Sequence, residues 1–140
     1  VIMLVDDEIP FVEATAKRLV KRDIEIVKAF SGEECLETLK THQTLDVIVL
    51  DVKMPGMDGL ETLKNIKNEY PLGEDIMLTG HATIELGING MKLGAFDFLT
   101  KPCEIEELVG KIEEATQKKR EHEEKIKDAE RNELLLKYEP

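Results

Sequence analysis

The chain has 140 residues and a formal net charge of −11 at pH 7, the size of one domain that can bury a core without disulfide or metal staples. That charge disfavours direct binding to nucleic acid or anionic lipid, which select clustered Lys and Arg, and no apolar stretch approaches the roughly 20 residues of a membrane span. Val1 opens directly into a strand pattern with no charged leader, so a cytoplasmic location is expected. The two cysteines, Cys35 and Cys103, lack metal or redox spacing, sit in patterns that read as helical, and are expected to be small buried hydrophobes in a reducing compartment.

Along the chain, short β-branched runs alternate with amphipathic stretches, the pattern of βαβ units that build a parallel sheet. Strands are predicted at Val1 to Val5, Ile24 to Ala29, Val47 to Leu50, Asp75 to Leu78 and Phe96 to Leu99. Helices are predicted near Pro10 to Lys21, Ser31 to Lys40, Leu60 to Tyr70, Thr83 to Lys92, and from Glu104 onward. The first and third strands are the most continuously apolar and are expected at the centre of the sheet. Pro10 suits a first helical turn, Ser31 and Glu34 form a capping box, Leu60, Leu63 and Ile66 mark an inner helix face, and Gly94 fits a helix stop. Gly87 and Gly90 lie inside the fourth helix and each costs about 1 kcal/mol relative to Ala, so that helix is expected to be soft.

The last helical pattern outruns the domain. Residues 1–118 are assigned to the folded unit and 119–140 to a charged helical extension, a linker or a dimerisation helix. A heptad seam runs through Ile105, Leu108, Ile112, Ala115, Lys119, His122, Ile126, Ala129, Glu133 and Leu136, with charged or polar residues at three positions. Beyond Ala115, the pairs Glu114/Lys118, Glu121/Lys125 and Glu123/Lys127 are spaced for i,i+4 support.

The chemistry gathers at strand ends. The first strand runs into Asp6, Asp7 and Glu8, and the third ends at Asp51 before the breakers Met54-Pro55-Gly56-Met57-Asp58-Gly59. Parallel strands bring such acids to the carboxyl end of one sheet, where Asp6, Asp7 and Asp51 would repel one another without a cation. Oxygen ligands of this kind suit Mg²⁺ completed by phosphate oxygens. The fourth strand leads to Thr79-Gly80, a hydroxyl and an exposed amide, and the fifth to Lys101-Pro102. Together these are the positioning and charge-stabilising groups that phosphoryl transfer uses. Taken singly, Thr79 also reads as a helix cap, Lys101 as a solvated charge and the acidic run as loop charge.

In that order, Asp6-Asp7-Glu8, Asp51-Val52-Lys53-Met54-Pro55-Gly56-Met57-Asp58-Gly59, Thr79-Gly80 and Phe98-Leu99-Thr100-Lys101-Pro102 closely resemble the receiver domain of two-component response regulators, over residues 1 to about 120. The resemblance implies a CheY-like, flavodoxin-like three-layer (βα)₅ fold, doubly wound on a parallel sheet of order 2-1-3-4-5 with an extended C-terminal helix. It implies phosphorylation of Asp51 by a sensor histidine kinase or phosphotransfer protein, with Mg²⁺ held by Asp7, Asp51 and the backbone carbonyl of Lys53, and with Asp6 acting through water. Thr79 and Lys101 would meet the phosphoryl oxygens, Phe98 would follow Thr79 as the aromatic switch, and Lys101-Pro102 would be a cis peptide bond. Lys53 and His81 stand at the family's variable positions that tune phosphoryl lifetime, though an exposed loop histidine is an equal reading of His81.

The implied role is a signalling phosphoacceptor, catalysing only its own phosphorylation and dephosphorylation. The fourth helix, fifth strand and fifth helix would signal to an unidentified partner or output domain, with homodimerisation through that face or the last helix as one arrangement. Two other readings compete. A pseudo-receiver that only binds proteins is disfavoured because the whole phosphorylation set is present. An aspartyl-nucleophile phosphatase wants a second acid two residues after Asp51, where this chain has Lys53.

Overall fold

The computed structural model describes residues 1–42, 44–52, 58–80 and 83–137, and its strands alternate with helices throughout. The order is β1 (Ile2–Val5), α1 (Ile9–Val20), β2 (Ile26–Ala29), α2 (Gly32–Leu39), β3 (Val47–Leu50), α3 (Gly59–Glu69), β4 (Glu74–Thr79), α4 (Ile84–Lys92), β5 (Asp97–Thr100) and α5 (Ile105–Lys137). The five strands form one sheet in the order β2-β1-β3-β4-β5. All four pairings are parallel, with Val5 level with Leu50 and Leu50 with Met77. The expected fold class and strand order are therefore those of the structure.

Both faces of the sheet are covered, which explains why β1 and β3 are apolar at every position. Ile2, Leu4, Val47, Val49, Ile76 and Leu78 pack with α1 and α5. The alternate residues Met3, Val5, Ile48, Leu50 and Met77 face the other way, toward Cys35, Leu39, Leu63 and Ile66.

Local chemistry sets the element ends. Ser31 Oγ accepts from the Glu34 amide at 3.0 Å while Glu34 Oε2 accepts from the Phe30 amide at 3.2 Å, so the reciprocal half of the expected capping box falls one residue earlier. Gly94 has φ +100°, the left-handed conformation that stops α4 after Leu93. β2 begins two residues later than predicted, because Asp23 turns at φ 60° and the Ile24 amide closes back on Leu19 O at 3.2 Å.

Two expectations change. Cys103 lies between β5 and α5, not in a helix, and is half-exposed. Pro102 has no amide to donate, and the Leu108 amide donates to Glu104 O at the start of α5. Gly90 is buried in α4 with a packing reason as well as a conformational one: a Cβ there would lie 1.9 Å from Met77 Cε.

α5 stays on its own domain longer than its charge pattern suggests. Lys119, which breaks the apolar seam in sequence, is 5% exposed and places Nζ 3.4 Å from Asp46 Oδ1 and 2.9 Å from Glu123 Oε1. Lys118 turns to Glu74 at 3.7 Å. Among the described residues, no helix is long and apolar enough to cross a membrane.

Candidate functional site

Four strand ends converge at the carboxyl edge of the sheet. The Asp6 amide donates to Ala29 O at 3.1 Å and the Asp51 amide to Val5 O at 2.9 Å, continuing the parallel ladders one residue past β1 and β3. That register pins both carboxylates beside each other, with Asp6 only 3% and Asp51 4% exposed. The Lys101 amide donates to Thr79 O at 2.9 Å, which ties the end of β5 to the end of β4. Thr79 is fully buried and Gly80 beyond it is exposed.

The Lys101 ammonium is the positive centre. Its Nζ lies 2.6 Å from Asp6 Oδ2, 3.5 Å from Glu8 Oε1 and 3.6 Å from Asp51 Oδ2. Burial of the ammonium works against its charge, but the Asp6 hydrogen bond and the three carboxylates outweigh it and hold the pKa above the ordinary lysine value. Asp6 moves up too: burial and the Asp51 charge outweigh the help of Lys101 and of the Glu8 amide, which donates to Asp6 Oδ1 at 3.0 Å.

Asp6, Glu8 and Asp51 each bring a carboxylate oxygen within 4.8 Å of the others. Acceptor-only oxygens at that spacing, facing one ammonium, have the chemistry of a hard divalent cation site. Three carboxylates face the one Lys101 ammonium, a charge balance that favours a further cation. Asp7, expected as a ligand, is exposed and lies outside this group, while Glu8 lies inside it.

Lys53 and His81 lie outside the described residues. Phe98 is half-buried against the core formed with α2 and α3, and its ring carbons lie 3.8 Å from where a Gly87 Cβ would sit. The Lys101-Pro102 peptide bond is cis.

Three residues beside the site carry parts that sequence reasoning passed over. Gly59 reads as a turn residue, yet its amide donates to Val52 O at 2.9 Å and a Cβ would fall 2.0 Å from Val52 Cα. Only glycine lets α3 approach the chain just past Asp51 that closely. Asp58, read as a breaker, caps α3 by accepting from the Glu61 amide at 2.8 Å. Phe11 places its ring centroid 4.1 Å from Lys101 Nζ; nothing in its spacing separates it from an ordinary inner-face residue.

Comparison with known proteins converges on one family. Residues 2–113 match the model of the response regulator receiver domain. The chain is 36% identical over 112 residues to the DNA-binding transcriptional regulator NtrC of Klebsiella pneumoniae, covering 80% of this chain and 24% of that protein. It thus spans about a quarter of the length of the NtrC relatives it matches. The crystal structure of a CheY-like receiver domain protein from Methanospirillum hungatei JF-1 superposes with a TM-score of 0.82 at 26% identity, over 86% of this chain and 96% of that one. A CheX–CheY–BeF3–Mg²⁺ complex from Borrelia burgdorferi gives 0.76 at 26% identity, over 79% and 84%.

Proposed function

The chain belongs to the response regulator receiver domains, and on that premise we propose that Asp51 accepts a phosphoryl group from a phosphohistidine on a sensor histidine kinase or phosphotransfer protein. The observation that carries the reading is the placement of Asp51, 4% exposed at a strand end, with an ammonium at 3.6 Å and two more carboxylates beside it. An Asp51 oxygen forms the new O–P bond as the donor's P–N bond breaks, and the imidazole leaves neutral, keeping the proton already on its other ring nitrogen. Lys101 meets one phosphoryl oxygen and the Thr79 hydroxyl another, and positioning and charge supply the catalysis.

The proposed cation is Mg²⁺, which neutralises phosphoryl charge when bound. Asp51 and the acidic turn at Asp6, Asp7 and Glu8 hold it in this reading, with Asp7 and the Lys53 carbonyl as the ligands the family pattern names. The Borrelia burgdorferi neighbour, a complex containing BeF3 and Mg²⁺, supports the same chemistry for this chain.

Output is assigned to α4, β5 and α5. Thr79 follows the new anion, Phe98 follows Thr79, and α4 moves with Phe98. The NtrC relatives are DNA-binding regulators; with a net charge of −11, this domain is a poor DNA ligand, and any such contact belongs to a partner or a separate domain.

The test is incubation with a small acyl phosphate and Mg²⁺. A single phosphoryl-sized, base-labile mass gain is expected in the wild-type chain and is absent from Asp51→Asn. Sustained turnover of phosphomonoesters would favour a phosphatase, and no mass gain would leave only a protein-binding role. In the same assay, Lys53→Ala or His81→Ala is expected to change the decay of the labelled form more than its yield; decay unchanged from wild type in both variants would remove those two from lifetime control.

A further inference from the structure

Lys101 has an anionic side and an aromatic side. On the first lie Asp6 at 2.6 Å, Glu8 at 3.5 Å and Asp51 at 3.6 Å; on the second lies the Phe11 ring, centroid 4.1 Å from Nζ. The ring belongs to the first turns of α1, and its neighbour Val12 is fixed in the core with no exposure, so the ring's position is set by the packed helix.

Phe11 also separates two spaces. It lines a small cavity under the acidic site with Asp6, Asp51 and Leu78. It equally lines a wider cavity of about 240 Å³ between α1 and α5, beside Lys101, Cys103 and Ile105.

We propose that Phe11 is a positioning residue for the phosphoryl-transfer reaction: its ring holds the Lys101 ammonium between Asp6 and Asp51 and walls the site off from the cavity between α1 and α5. The inference rests on the assignment of Lys101 as the cation that meets the phosphoryl group. A carboxylate partner alone would fix the ammonium on Asp6, its nearest anion. An aromatic face attracts the cation without a directional hydrogen bond and without a competing negative charge. The ammonium can therefore move from Asp6 toward an oxygen on Asp51 and keep its contact with the ring throughout. An aliphatic side chain of similar size would fill the space and supply none of this attraction.

The test uses the full chain as wild type, Phe11→Leu, Phe11→Met and Phe11→Tyr, with folding checked by circular dichroism. One readout is the NMR shift of the Lys101 ε-methylene protons, which the ring current moves upfield when the ring faces them. The other is the rate of phosphorylation by a small acyl phosphate with Mg²⁺. Phe11→Leu and Phe11→Met are expected to lose the upfield shift and to slow phosphorylation by about tenfold, while Phe11→Tyr keeps both near wild type. Wild-type rates in the Leu and Met variants would overturn the proposal. So would a Tyr variant as slow as the Leu variant, since that outcome marks a role in packing alone. If the wild-type chain gained no phosphoryl group, the receiver reading itself would fall; the methylene shift would still report whether ring and lysine are in contact.

Discussion

At the scale of single residues, Asp75 is a buried carboxylate outside the candidate site. It is fully buried in β4 on the face packed by α2 and α3, with Lys67 Nζ 3.1 Å from its Oδ2. Burial pushes its carboxyl up to about 7, despite Lys67 and helped slightly by Glu74. Asp75 and Glu69 in turn add to the burial that takes the Cys35 thiol up to about 12, so that thiol is unreactive at neutral pH. Because the folded pKa of Asp75 is raised, its contribution to stability is full below about pH 4 and is lost as pH rises through about 7. Lys67→Met should therefore destabilise by about 3 kcal/mol at pH 8.5, where a buried carboxylate loses its partner, and by much less at pH 5, where the group is protonated. Urea denaturation at the two pH values checks this, and equal losses would show that Lys67 acts through packing. In sequence Asp75 reads as an ordinary acid at the start of a strand. Its cost depends on Lys67 reaching across from α3, which no local pattern encodes.

Among the elements, α4 is the one whose glycines do separate jobs. Gly87 faces the Phe98 ring, where a Cβ would make an ordinary contact at 3.8 Å, whereas Gly90 sits on Met77 with no room for a Cβ. Gly87→Ala should thus stabilise the protein by up to about 1 kcal/mol through helix propensity. Gly90→Ala gains the same propensity but overpacks a fully buried methionine, an effect worth about 1–3 kcal/mol, so its net effect should be a loss. Denaturant midpoints would distinguish the two, and equal gains would show that Met77 moves aside freely. The glycines are plain in the sequence, and the Thr83 cap, which accepts from the Leu86 amide at 3.1 Å, is found only in the structure; nor is the division of labour legible, because Met77 and Phe98 lie on other strands. The outer side of α4 carries Ile84, Ile88 and Met91, 84%, 48% and 48% exposed, an apolar stripe consistent with the proposed signalling face.

For the whole molecule, we propose that the end of the packed unit lies past residue 118, at a charge cluster on the amino-terminal edge of the sheet. Asp46 is 6% exposed there and meets Lys119 at 3.4 Å and Arg120 at 3.4 Å. We expect a chain ending after Gln117 to lose about 2 kcal/mol of stability by stripping Asp46 of two partners, and one ending after Glu124 to keep the full value. Denaturation of both would place the boundary, and an unchanged shorter chain would return it to residue 118. Much of this protein was determined by the sequence alone. The two-faced burial of β1 and β3 follows from unbroken apolar runs, the start of α2 from the Ser31 cap and its Glu34 three residues on, and the acidic strand ends from the order of residues, because each is short-range physics. Tertiary structure decided which charges and side chains meet. It put Glu8 instead of Asp7 in the carboxylate group, Lys119 on Asp46 across 73 positions and Lys101 on Asp6 across 95. It also set the Phe11 ring against Lys101. Pairs so far apart are brought together by the sheet order and by helices packed on both faces, and their energies exist only once that burial has removed the water between them.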